Sequence, residues 1–321
     1  MTDLHAHPHI AAILRETGED DPYIAIRAKA RALVAEYHGT IGEVPPFNMD
    51  AFASLRGLAR SADAPKHSDD SEIAPEADGR VVLRVNRDRP RSRQRFSIGH
   101  EIGHTLFPDF HHTGHCRKGK DRNWANSDDL IESLCDVAAS ELLFPHPWFH
   151  DRIRDMTISA AALATLATDY QASRDATVRR FVEISADPIA AVFFSWKLKP
   201  TEEKQLLRDR RQKSMFDRNL VAEAEANRKL RVDYAILSET FEDRCISHIP
   251  RDKSIPSEGP IHDASIHQVC TDGQLPLDLG SIRGTFTAHT LPIYTPEDTV
   301  GPTGGCSVVV VIRPVPVRNP R

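Results

Sequence analysis

Paired cysteines are missing from this sequence. Its 321 residues hold 5 cysteines, at positions 116, 135, 245, 270 and 306, and none forms a CxxC pair. This odd, scattered set argues against a disulfide framework and reads as reduced thiols in a cytosolic protein. Long apolar runs are missing too. No stretch approaches the ~18 apolar residues of a membrane span. The longest run, Val308-Val309-Val310-Val311-Ile312, suits a buried strand. The opening residues, Met1 to Pro8, carry neither a basic nor an apolar segment. No secretory signal is therefore expected, and the expected location is the cytoplasm, away from any membrane. Positive charge is not in excess: the formal net charge is -5, which excludes a histone-like polycation. No repeat of ~20–50 residues is present.

What is there suits a globular chain. At ~150 residues per domain the length suggests two domains, enough to bury a core without a disulfide or metal staple. Charged residues make up 27%, which argues against wholesale disorder, and 22 prolines imply many loops. Periodicity predicts a helix over 21–37 stopped by Gly39, and another over 49–60 with Asn48 as its cap. Residues 61–79, rich in Asp, Ser, Pro and Glu, read as a flexible insertion. A strand is expected over 81–86, either a sheet edge able to pair with an extended substrate or a core strand. A basic hinge over 87–95 leads into a helix over 96–106. After a loop at 108–127, helices are expected over 128–143, 159–170 and 175–185, then a strand over 190–196. Residues 201–242 are dominated by Glu, Arg, Lys and Ala and read as a long solvated helix. Short β-rich runs return from residue 245 onward.

The strongest chemical signal is His100-Glu101-Ile102-Gly103-His104. On a helix, positions i and i+4 share a face, so two imidazoles one turn apart can grip one metal ion. Glu101 then stands beside the metal, placed to take a proton from bound water. Gly99 and Gly103 each cost a helix ~1 kcal/mol, which suggests that another backbone packs closely there. A catalytic zinc site takes a third protein ligand. Glu132 follows His104 by 132 − 104 = 28 residues and shares a helix face with Asp136. Glu132 can reach the metal while Asp136 accepts the free N–H of a ligand histidine, fixing its tautomer. Asp128 and Asp129 are alternative third ligands, though they also suit a helix cap. His111, His112, His115 and Cys116 could hold a second metal, but their spacing matches no common structural zinc site.

Two stretches resemble a family. Arg95-Phe96-Ser97-Ile98-Gly99-His100-Glu101-Ile102-Gly103-His104, followed by Glu132-Ser133-Leu134-Cys135-Asp136-Val137-Ala138-Ala139-Ser140-Glu141-Leu142-Leu143-Phe144-Pro145, is similar to the ImmA/IrrE metallopeptidases. The resemblance spans about residues 20–200. Cys135-Asp136 stands where the family usually has Ala-Asn. It implies one zinc per chain held by His100, His104 and Glu132, with Glu101 as general base. It also implies a protein substrate, a repressor-type transcription factor. The expected fold class is α+β. A mostly helical zincin-like metallopeptidase domain with a small sheet covers 1–200. A charged linker helix covers 201–244. A small β-containing domain over 245–321 is assigned to sensing or partner recognition.

Tyr170, His146 and Arg174 are candidates to stabilise an oxyanion. Residues 163–184 could instead be a helix-turn-helix carrying Arg174, Arg179 and Arg180. A DNA-associated regulator, or a toxin–antitoxin or mobile-element partner acting mainly by binding, is therefore the alternative class of function.

Overall fold

A computed structural model of the chain describes residues 7–65, 69–108, 115–116, 127–212, 226–245, 248–293 and 305–315. It forms two compact units. One comprises Met1–Asp155 with Ala167–Ser173, the other Met156–Leu166 with Arg174–Arg321. The fold class is α+β, as expected from the sequence. No helix among the described residues is long and apolar enough to cross a membrane.

The first unit opens with a helix the periodicity did not announce, α1 (Pro8–Thr17), closed by Gly18 at φ 74°. Helix α2 (Pro22–Ile41) starts at Asp21, whose carboxylate accepts from the amides of Tyr23 and Ile24. The expected stop at Gly39 is corrected. The helix runs through it and ends at Gly42, which takes the left-handed φ of 78° that glycine adopts without a Cβ penalty. Asn48 caps α3 (Met49–Leu55) as expected, but that helix is shorter than 49–60. Residues Ala59–Arg60 leave it to form β1, parallel to β3 (Val81–Val85).

The flexible insertion expected over 61–79 contains a strand, β2 (Ser71–Pro75), antiparallel to β3. Composition misled here because two polar residues are buried with partners. Ser71 bonds Glu101 at 2.7 Å, and Glu72 pairs with Arg84 at 2.8 Å. β4 (His115–Cys116) lies on the other side of β2. The sheet order is β1-β3-β2-β4, so β3 is an interior strand and not a substrate-facing edge.

Helix α4 (Arg91–His104) begins inside the expected basic hinge, since arginine is a good helix former and Pro90 precedes it at φ -53°. α5 (Ser127–Leu143) packs along it, burying Leu134, Ala138, Leu142 and Leu143. Glu141 on α5 is fully buried and met by Arg27 of α2 at 2.7 Å and Arg31 at 3.2 Å. Short α6 (Trp148–Arg154) follows Pro147. Tyr37, Phe47 and Phe52 form an aromatic cluster, with ring centroids 4.3–5.7 Å apart.

The second unit is built on one five-stranded antiparallel sheet. The strands are β5 (Ala190–Lys197), β6 (Lys229–Leu237), β7 (Thr271–Asp278), β8 (Arg283–Ile293) and β9 (Ser307–Pro314), in the order β6-β5-β9-β8-β7. This corrects two expectations. The solvated helix over 201–242 is helical only as α9 (Pro200–Gln212) within its described part. Leu230 and Val232, and beyond a register shift Ala235 and Leu237, face one apolar cluster, and the strand pairs with β5. The C-terminal strands are also no separate domain starting at 245. β9 is sandwiched between β5 and β8, and its Val308–Ile312 run is wholly buried.

One face of this sheet, with Val192, Phe194 and Val310, packs with Phe241 of α10 (Glu239–Arg244) and Ile261 of α11 (Pro260–His267). Helix α8 (Arg174–Ile184) lies against β5, β6 and β8. The chain passes between the units after Asp155, within α7 (Ala160–Asp169), and after Ser173.

Candidate metal centre

The site is assembled by two helices brought unusually close. A β-carbon on Gly99 would stand 3.1 Å from the Cα of Ala139, and one on Gly103 would stand 2.9 Å from the Cα of Cys135. Only hydrogen fits at Gly103 without a backbone shift. The two glycines are four residues apart on α4, and their neighbours are four apart on α5, so the contact follows matching helix faces. That register sets Glu132 and Asp136 over the histidines.

His100 and His104 are buried, with ring centroids 5.1 Å apart. Glu132 Oε2 lies 3.2 Å from His100 Nε2, and its Oε1 lies 3.5 Å from His104 Nε2. One ligand atom from each of these three residues falls within 4.8 Å of the other two. Among the described residues they form the one such group of His, Cys, Asp or Glu. Behind them, His100 Nδ1 lies 2.8 Å from Asp136 Oδ1. That contact orients the ring and presents Nε2 to the cluster.

His100 Nε2 is buried and makes no well-formed hydrogen bond. A buried nitrogen aimed at a carboxylate and a second imidazole is the donor set that zinc takes, two nitrogens and one oxygen. Burial pushes the His100 pKa down. The carboxylates of Asp136 and Glu132 favour the protonated ring, outweigh it and raise the imidazole to about 9. A cation entering there displaces a proton from this ring.

Glu101 is fully buried beside the pair. Its Oε1 accepts a 2.7 Å hydrogen bond from the Ser71 hydroxyl on β2. Sequence reasoning missed Ser71, because it lies in the polar stretch read as a loop. Its one visible signal was a place just before the alternating Ile73 and the β3 run.

The other singled-out residues are engaged elsewhere. Tyr170 packs against Phe144 and Phe149, and burial pushes its hydroxyl up to about 12. His146 lies against His150, with centroids 4.5 Å apart. Arg174 donates to the Pro292 carbonyl at 2.8 Å. Arg179 lies over the Tyr234 ring and pairs with Asp175, while Arg180 is buried beside Glu183. Asp129 is not part of the cluster, and Asp128 lies in the first turn of α5. His111 and His112 lie outside the described residues, and His115 and Cys116 are described only as the backbone of β4.

Residues 59–182 match the profile of the IrrE N-terminal-like domain, a peptidase family. The radiation response metalloprotease IrrE of Deinococcus radiodurans is 27% identical over 199 residues, covering 57% of this chain and 54% of that protein. Its namesake in Deinococcus deserti is 29% identical over 170 residues, 51% of this chain and 56% of that one. The chain thus spans about half the length of these curated relatives. A solved structure described as a Mycobacterium tuberculosis transcriptional regulator aligns over 97% of this chain and 88% of that one. Its TM-score is 0.40 at 11% identity, too low to carry an argument. The matched region, residues 59–182, contains both helices that build the metal cluster, and it is there that this chain is similar to the IrrE N-terminal-like peptidase domain.

Proposed function

We propose that this chain is a zinc-dependent endopeptidase that hydrolyses a peptide bond in a regulatory protein, with a repressor-type transcription factor as its substrate class. The carrying observation is the convergence of His100, His104 and Glu132 within 4.8 Å, on the same helix pair that buries Glu101. Bound zinc supplies a water of pKa near ~7 and a polarised scissile carbonyl.

The chain's own groups do the rest. Glu101 takes the proton of the attacking water and passes it to the leaving amine. Ser71 holds the Glu101 carboxylate in one orientation through its 2.7 Å bond, so the base need not search rotamers. Asp136 holds the His100 proton on Nδ1 and raises the donor strength of Nε2. The relatives' name, radiation response metalloprotease, supports a substrate within a stress response.

The test joins metal content to cleavage. Elemental analysis of the purified chain should find about one zinc, as a three-ligand catalytic site takes, and Glu132→Ala should lose it. Glu101→Gln should keep zinc, while cleavage of repressors from the same genome, read by mass spectrometry of the fragments, falls ~10²–10⁴-fold. A chain that takes up no zinc on reconstitution, or a Glu101→Gln variant cleaving at the wild-type rate, refutes the reading.

A further inference from the structure

The two histidines are held in different ways. His100 lies one turn inside α4, and Asp136 orients its ring from 2.8 Å. His104 is the last residue of that helix. Final turns carry carbonyls without intrahelical donors, and helix ends fray. Past His104 the chain tightens into shorter-range bonds. The Thr105 amide donates to the Ile102 carbonyl at 2.9 Å, Leu106 to Gly103 at 3.1 Å and Phe107 to His104 at 3.4 Å. A metal ligand, whose bond length tolerates only ~0.2 Å, thus stands on the least secured turn of its helix.

An arginine from another element meets this turn. Arg56 directly follows α3, where its amide donates to the carbonyls of Phe52 and Ala53 at 3.2 and 3.1 Å, and Gly57 at φ 72° turns the chain away. With its backbone fixed there, its side chain spans to Thr105, the residue after His104. Nη2 donates to the Thr105 carbonyl at 2.6 Å, and Nε donates to the Thr105 hydroxyl at 3.0 Å. That hydroxyl donates onward to the Ile102 carbonyl at 2.6 Å. One guanidinium edge therefore secures two carbonyls of the last turn, one directly and one through Thr105. Thr105 is only 3% exposed, so these bonds are sheltered from water. A fixed cation also meets the negative end of the helix dipole, where the turn itself carries no basic residue but His104.

We propose that Arg56 is a positioning residue of the metal centre. By clamping Thr105 it fixes the backbone that carries His104, and with it the place of the second imidazole. The proposal rests on the zinc reading of the site. Arg56 lies before the span 59–182 that matches the peptidase profile, so that match gives it no role. The planar fork explains the residue type. It meets a carbonyl and a hydroxyl side-on at once, whereas lysine offers a single point charge.

The test measures metal binding by the full-length chain, in competition with a chelator of known affinity, well below the melting temperature of each variant. Arg56→Gln should bind zinc about tenfold more weakly than wild type, as loss of a group that supports a ligand does, and Arg56→Lys should fall between the two. With cobalt in place of zinc, the visible absorption of Arg56→Gln should shift, because one imidazole no longer holds its place. In the metal-free chain the amides of Leu106 and Phe107 should exchange faster. Arg80→Gln, which breaks the exposed Arg80–Asp78 pair at 2.6 Å, should match wild type in all three measurements. Wild-type zinc affinity with an unchanged cobalt spectrum in Arg56→Gln overturns the proposal, as does an equal loss in Arg80→Gln. A wild-type chain that takes up no zinc overturns the metal reading as well, so the two failures are told apart. Should Arg56→Gln fail to fold, Thr105→Val, which removes the hydroxyl and keeps the carbonyl, should weaken zinc binding severalfold. Wild-type affinity in that variant then overturns the proposal.

Discussion

Gly103 of α4 lies so close to Cys135 of α5 that a β-carbon there would come within 2.9 Å of the Cys135 Cα and 3.1 Å of its carbonyl oxygen. Metal geometry and helix packing are thereby one problem. The histidines sit on one helix and Glu132 with Asp136 on the other, so the helix separation sets the distances between ligand atoms. Gly103→Ala gains helix propensity of ~1 kcal/mol but meets backbone, and overpacking costs ~1–3 kcal/mol. The variant should melt lower and bind zinc on the order of tenfold more weakly, as displaced supporting groups do. Calorimetry with a zinc-chelator competition checks both. Wild-type affinity would mean the contact does not set the site.

Asp136 stands where the family usually carries asparagine. Asp136→Asn keeps an oxygen that can accept from His100 Nδ1, so the fold and the metal site should survive. Zinc affinity should fall by about tenfold or less, while Asp136→Leu, with no acceptor, should lose ~10–100-fold. Competition titration against a chelator of known affinity separates the two. Equal losses would place the effect in packing and not in the 2.8 Å contact.

In the proposed mechanism Ser71 acts through Glu101, as a positioning residue. Ser71→Ala removes a buried hydrogen bond to a charged acceptor, an interaction of ~1.5–3 kcal/mol. The expected outcome is a kcat drop of about tenfold or more, with KM and zinc content little changed. Ser71→Thr, which keeps the hydroxyl, should restore most of the rate. A purely structural role would instead lower stability with kcat per folded molecule intact.

Ending the chain at residue 200 removes β6, β8 and β9, and β5 loses both of its neighbours. Val192, Phe193 and Phe194, each at most 2% exposed, would face water. Such a fragment should aggregate or bind a hydrophobic dye strongly, each exposed side chain forfeiting ~1.5–3 kcal/mol of burial. Light scattering and dye fluorescence measure it. A monomeric fragment melting like the full chain would show that the sheet is dispensable.

The His100–His104 spacing, the Glu132–Asp136 spacing, the Asn48 cap and the buried Val308–Ile312 strand were all legible in the residue order. Each depends on neighbours within one or two turns or on strand alternation, and such local periodicity survives without tertiary context. The close approach at Gly99 and Gly103 was also foreshadowed, because glycine in a helix interior costs stability that some contact offsets.

Other features were decided only by packing. Ser71 reads as loop until β2 pairs with β3 and brings its hydroxyl to Glu101, 30 residues away. Residues 229–237 read as part of a charged helix until β5 offers them a pairing edge. Composition equates polarity with exposure. A polar side chain can nevertheless be buried once a sequence-distant partner satisfies it, and that partner exists only in the folded chain. Arg95 belongs to the same class. Its place in the sequence marks the start of the histidine helix, but only the folded structure buries its Nε and Nη2, which meet no acceptor among the described residues.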